Sequence, residues 1–160
     1  MEKYQEVFSC FDLLELETYR LYKNLHARML IEDPRRGPIL FIALDSYKHH
    51  LIYRELSKKA ELEERKCAEI LGEIYSHSLR STRHLRKKIS KIDQLKEKEL
   101  KEILNELMSY EKSVYEEAMS KTLIGFMKEE AKGEYREILK FIEEDEKRHE
   151  SILKELIELF

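Results

Sequence analysis

FIALDSYKHHLIYREL (residues 41–56) returns one hundred residues later as FIEEDEKRHESILKEL (residues 141–156). Seven of the sixteen positions are identical: Phe41/Phe141, Ile42/Ile142, Asp45/Asp145, His49/His149, Ile52/Ile152, Glu55/Glu155 and Leu56/Leu156. Lys48/Arg148 and Arg54/Lys154 keep their charge. The second copy carries Glu146 three residues before its His, where the first carries Ser46. Three residues are nearly one helical turn, so Glu146 and His149 share a face, as do Ser46 and His49.

The surrounding composition fits a helical chain. The 160 residues include only four Gly and two Pro, which leaves few turns for strands. This length suits one domain with a substantial core, taken as residues 1–160. Charged residues make up 39% with a net charge of −3, so the signs are mixed, which argues against a strongly polycationic, polyanion-binding class. The Lys and Glu richness is of a thermophile type. Cys10 and Cys67 are too few for a disulfide framework, and no CxxC occurs. The opening MEKYQEVF is polar, no apolar run reaches membrane-spanning length, and a cytoplasmic protein is expected.

Five helical stretches are predicted. The first runs from about Glu2 to Leu30 and stops at EDPRRGP (residues 32–38). The second begins near Pro38. Residues 57–66 are polar with no breaker, so helix 2 either folds back there or continues as a rod to Lys91. A third stretch reaches Lys91, and Asp93 is a candidate N-cap for the fourth, which extends to about Met127. Gly133 marks the last break before the fifth.

Polar residues interrupt the apolar stripes of four of these helices. The last reads Ile142, Glu146, His149, Leu153, Leu156, and the second Ile42, Ser46, His49, Tyr53, Leu56. The first reads Phe8, Phe11, Glu15, Tyr19, Tyr22, Met29. The fourth reads Leu104, Leu107, Met108, Glu111, Val114, Tyr115, Ala118. A buried carboxylate is costly unless it pairs or binds metal. Tyr19, Tyr22, Tyr53 and Tyr115 read as packing with the hydroxyl reaching a polar partner.

On these residues the chain resembles the ferritin-like superfamily, and within it the rubrerythrin-like branch. ELETYRLY (residues 15–22), YEKSVYEEA (residues 110–118) and DEKRH (residues 145–149) carry the likeness, over most of residues 5–56 and 100–160. The resemblance implies an all-α four-helix bundle of two helical hairpins joined by a long helical crossover. One Glu comes from each of two helices and a Glu-x-x-His from each of the others, holding a dinuclear centre. By that resemblance the metal ligands are Glu15, His49, Glu111, Glu146 and His149, with the sixth position occupied by Ser46. Iron, in a di-iron centre, is the implied metal, with manganese or zinc also fitting this donor set. A metal-free polar core stays open. Asp45 and Asp145 are placed to orient the His of the opposite helix.

Such centres react with dioxygen or peroxide, or handle iron. The resemblance therefore implies a metal-dependent oxidoreductase that draws on an external electron donor, since no rubredoxin-type CxxC is present. A homodimer is also implied. Ser46 and Met108, the latter where the family often has a second carboxylate, support a different class: a non-catalytic helical module acting through a protein partner. Arg80, Arg83, Arg86, Lys87, Lys88 and Lys91 form one basic run, read as solvated cations near a helix C-terminus. It lacks the interleaved aromatics of single-strand nucleic-acid binding.

Overall fold

Pro34 and the Gly37–Pro38 pair set the first corner. In the computed structural model, which describes residues 2–112, 122, 125 and 133–160, the described residues form helices and no strand. These are α1 (Glu2–Arg28), α2 (Arg36–Leu56), α3 (Glu64–Leu71), α4 (Glu73–Ser90), α5 (Glu97–Glu111) and α6 (Gly133–Glu158). Pro38 sits in the first turn of α2, where its missing N–H has no intrahelical partner to lose. Among the described residues no helix is long and apolar enough to cross a membrane. The chain divides into two compact units, Met1–Leu100 and Lys101–Phe160.

In the first unit α1 packs against α2, α3 and α4. Contacts climb α1 as they descend α2, from Phe8–Tyr53 to Tyr19–Tyr47, so the two helices run antiparallel. Phe11, Leu14, Leu21, Tyr22 and Leu25 bury one side of α1 at helical spacing, and Ile39, Ile42 and Tyr53 do the same on α2. The end of α1 is closed from outside the helix. Arg36 Nε and the Leu95 N–H donate to the carbonyls of His26 and Arg28. Arg35 is buried and donates to Asp33 at 2.8 and 2.9 Å and to Glu97 at 3.1 and 3.2 Å.

The choice left open at residues 57–66 resolves as a fold-back. The Lys58 N–H donates to Glu55 O and the Lys59 N–H to Arg54 O, at 3.0 Å each. Those two bonds make a Schellman cap. It is built without glycine: Lys58 and Lys59 hold φ of 53° and 60°. Ser9 Oγ then donates to Ala60 O at 2.6 Å. A Cys10–Cys67 disulfide, Cα–Cα 5.5 Å, ties α1 to α3. The two cysteines thus form a single staple where the sequence offered no framework. The third predicted stretch is two helices, broken at Gly72, whose φ of +81° favours glycine.

Asp93 is not the N-cap of α5. The helix starts at Glu97, and the Lys96 N–H donates to Glu99 Oε2 at 2.9 Å, a carboxylate three residues on satisfying an orphan donor. In the second unit Ile103, Leu104 and Leu107 of α5 are buried, as are Leu139, Ile142, Leu153 and Leu156 of α6. Lys101 stands over the Phe160 ring and Lys112 lies 3.9 Å from Glu150, so α5 and α6 also run in opposite directions. The predicted continuation of the fourth stretch, with Val114, Tyr115 and Ala118, lies outside the described residues.

Candidate metal centre

In the second unit the apolar periodicity of α5 carries Glu111 inward at its last described turn. The same periodicity on α6 carries Glu146 and His149. All three are buried. Each offers a ligand-type atom, and these atoms lie within 4.8 Å of one another. His149 Nδ1 is 3.5 Å from Glu146 Oε2, one turn away on the same helix. Donors bound to one transition metal at about 2.1 Å stand at most about 4.2 Å apart. Side-chain adjustments of a fraction of an ångström would therefore let this set grip an ion. Two carboxylates and an imidazole supply up to two negative charges, and that donor set suits iron, manganese or zinc.

In the first unit Glu15 and His49 are both fully buried, with His49 Nδ1 3.5 Å from Glu15 Oε1. Ser46, one turn before His49, is fully buried too, and its Oγ has no hydrogen-bond partner among the described residues. The Ser46 position therefore faces the interior, as the repeat predicts, and offers a hydroxyl where α6 offers a carboxylate. His49 takes its acidic neighbour from α1 instead of from its own helix.

The paired aspartates of the repeat have partners on their own helices. Asp45 accepts from Lys48 Nζ at 2.9 Å, and Asp145 pairs with Arg148 in the equivalent geometry. This accounts for the kept charge at Lys48/Arg148. Tyr22 and Tyr53 are buried packing residues, as expected. Tyr19 is half-buried, its ring tilted against that of Tyr47 with centroids 4.8 Å apart, and its hydroxyl accepts from Lys23 at 2.9 Å.

Two buried polar features escaped the sequence reading. Glu17 is two residues past Glu15, about 200° around α1, and so points away from it. It is buried and pairs with Arg20 at 2.8 Å and Arg86 at 3.1 Å, with Arg83 at 3.9 Å. Arg83 also binds Glu64. Part of the basic run therefore anchors α4 to α1, and the signal for it was an acidic residue on the far side of α1. His50, about 100° further around α2 than His49, contacts Asp12. Burial of the Asp12 carboxyl pushes its pKa up against the pull of His50.

No family model, no curated protein and no solved structure matches the chain.

Proposed function

We propose that the chain is a ferritin-like metalloprotein, two helical hairpins joined by a crossover, that binds a redox-active transition metal. The observation that carries this reading is the buried Glu111, Glu146 and His149 set on α5 and α6. Buried carboxylates are kept where they pair or bind a cation, and these three side chains bring two carboxylates and an imidazole within reach of one ion. Glu111 and Glu146 would bind through oxygen and His149 through an imidazole nitrogen. Glu15 and His49 form a second, poorer donor pair in the first unit, and Ser46 leaves it one carboxylate short. Bound iron would supply one-electron chemistry toward dioxygen or peroxide, or would itself be the substrate in iron handling. The protein's own part is to hold the donors fixed in a dry interior. Electrons for turnover come from an external donor.

The second reading is a ferritin-like module without catalysis, acting through a partner. Ser46 favours it, and so does half-buried Met108 on α5 in place of a second carboxylate.

Elemental analysis of untagged protein, beside Glu146→Ala, tests the proposal. One or two equivalents of transition metal per chain, lost in the variant, support it. Protein that takes up no iron, manganese or zinc after loading overturns it. Aerobic addition of ferrous iron then separates the two readings. A ligand-to-metal absorption band favours the oxidoreductase; metal binding without oxidation favours the non-catalytic module.

A further inference from the structure

The segment between α2 and α4 is thinly held. Of residues 58–72 only Cys67 is buried. Ala60, Leu62, Ala68, Ile70 and Leu71 are half-buried, and the others face solvent. The polar ties of residues 60–71 to α1 and α4 are few. Ser9 Oγ donates to Ala60 O at 2.6 Å. Lys66 lies 3.7 Å from Glu6, and Glu64 accepts from Arg83 at 2.9 Å. Both ion pairs are half-exposed, and such pairs contribute little. Each end of the segment is a bend with left-handed backbone: Lys58 and Lys59 at φ 53° and 60°, and Gly72 at φ +81°. At the two lysines that conformation is strained for an L side chain. A segment with so little buried apolar surface has low local stability of its own. What fastens its middle to α1 is the Cys10–Cys67 bond.

We infer that the Cys10–Cys67 bond is a redox latch, and that its reduction by a dithiol releases residues 58–72 from α1 while the rest of the first unit stays folded. One thiolate of the dithiol attacks a sulfur of the bond, forms a mixed disulfide and frees the other cysteine as a thiolate. The second thiolate of the dithiol then displaces the remaining cysteine. Two electrons and two protons pass to Cys10 and Cys67, and the dithiol leaves as a disulfide. Cys10 and Cys67 are 0% and 1% exposed, so attack takes place during a brief opening of the segment. Once the bond is broken, docking has to offset the ordering of the whole segment with little apolar burial, and the released state is favoured. Release has a defined consequence. Lys59, Ala60, Glu61 and Leu62 form one wall of a cavity of about 270 Å³ whose other wall includes Asp12, Leu13, Leu16 and His50. Reduction therefore opens this cavity and uncovers the Asp12–His50 pair. The latch does not depend on whether Glu111, Glu146 and His149 hold a metal.

Hydrogen exchange of the full chain, read by mass spectrometry on its peptides before and after treatment with dithiothreitol, tests the inference. On reduction the amides of residues 60–71 should exchange about 100-fold faster, the loop entropy of the roughly ten-residue tether between the end of α2 and Cys67. Peptides from residues 14–28 and 39–53 should stay protected over the same time. Trypsin should cut after Lys58, Lys59, Arg65 or Lys66 in reduced protein at a concentration that leaves the oxidised chain whole. Cys10→Ala/Cys67→Ala protein should behave as the reduced wild type without any reductant, and re-oxidation of the wild type should restore protection. Residues 60–71 that stay equally protected after reduction, or in the double variant, overturn the inference. Reduced protein in which residues 60–71 exchange no faster than residues 14–28 and 39–53 overturns it as well, because the chain then opens only as a whole. Protection that does not return on re-oxidation overturns the latch as a reversible device.

Discussion

His49 Nδ1 lies 3.5 Å from Glu15 Oε1, across two helices, and His149 Nδ1 lies the same distance from Glu146 Oε2 within one helix. The repeat preserved an acid beside each buried imidazole, but the acid comes from different places. This difference follows from Ser46, and it yields the first prediction.

Ser46→Glu should give α2 the carboxylate that α6 already has. Without metal, the added buried charge should lower stability by about 2–4 kcal/mol in urea denaturation. With iron or manganese present, that loss should be recovered, and metal content should rise by about one ion per chain, as the proposed ferritin-like reading requires. A variant that is destabilised but takes up no more metal would refute Ser46 as the missing ligand position.

Glu146→Gln should act in opposite directions with and without metal. Glu111 and Glu146 offer ligand atoms within 4.8 Å of each other. Removing one of two like charges should stabilise the chelator-treated protein by about 1 kcal/mol. Wild-type protein should gain about 2.7 kcal/mol when metal is raised to one hundred times its dissociation constant. The variant should lose most of that gain. Thermal midpoints with chelator and with added metal read both effects.

Reduction of the Cys10–Cys67 bond should cost stability by an amount that grows with the logarithm of the loop it closes. With a sequence separation of 57, loop entropy alone gives about 4 kcal/mol. Both cysteines are buried, so a reductant should act slowly until the chain opens. Urea denaturation of Cys10→Ser/Cys67→Ser against the oxidised wild type measures the first effect. The rate of thiol release at low urea measures the second.

Lys58→Gly should raise stability. Lys58 holds φ 53° in the cap that ends α2, a conformation costing an L side chain about 1 kcal/mol. The expected gain is about 0.5–1 kcal/mol. Lys66→Gly, inside α3, should instead lose about 1 kcal/mol. Equal effects at the two positions would contradict the backbone described for the fold-back.

Acid should release the first corner. The Arg35 guanidinium, donating to Asp33, holds that carboxyl below its ordinary 3.8. A depressed carboxylate contributes stability that is complete above its unfolded value and is lost as pH falls through the folded one. The stability difference between wild type and Asp33→Asn should therefore be full at about pH 6 and vanish well below pH 4, at about pH 2. A difference that grows toward acid would reverse the assigned sign.

The helices and their inward faces were legible because 3.6-residue periodicity is a local property. Glu15, His49, Glu111, Glu146 and His149 could be placed inside from spacing alone, and all five are buried. Ser46 was legible as an inward hydroxyl for the same reason. The fold-back after α2 was not, because its left-handed cap uses Lys58 and Lys59 where a glycine would have announced it. The Cys10–Cys67 bond was hidden for a related reason: two cysteines signal nothing until the fold-back brings α3 to α1. The role of Glu17 in joining α1 to α4 escaped because two of its partners, Arg83 and Arg86, lie more than sixty residues away.

The two copies of the repeated helix now carry unequal obligations. On α6 the inner side keeps a carboxylate and an imidazole, while the outer side carries Glu144, Lys147 and Ser151, which water alone can satisfy. On α2 the inner side carries Ser46 where α6 has Glu146, and the outer side carries Leu44, Tyr47 and Leu51 at the places of those three polar residues. The copy with the more ionisable interior is also the one with the more polar exterior.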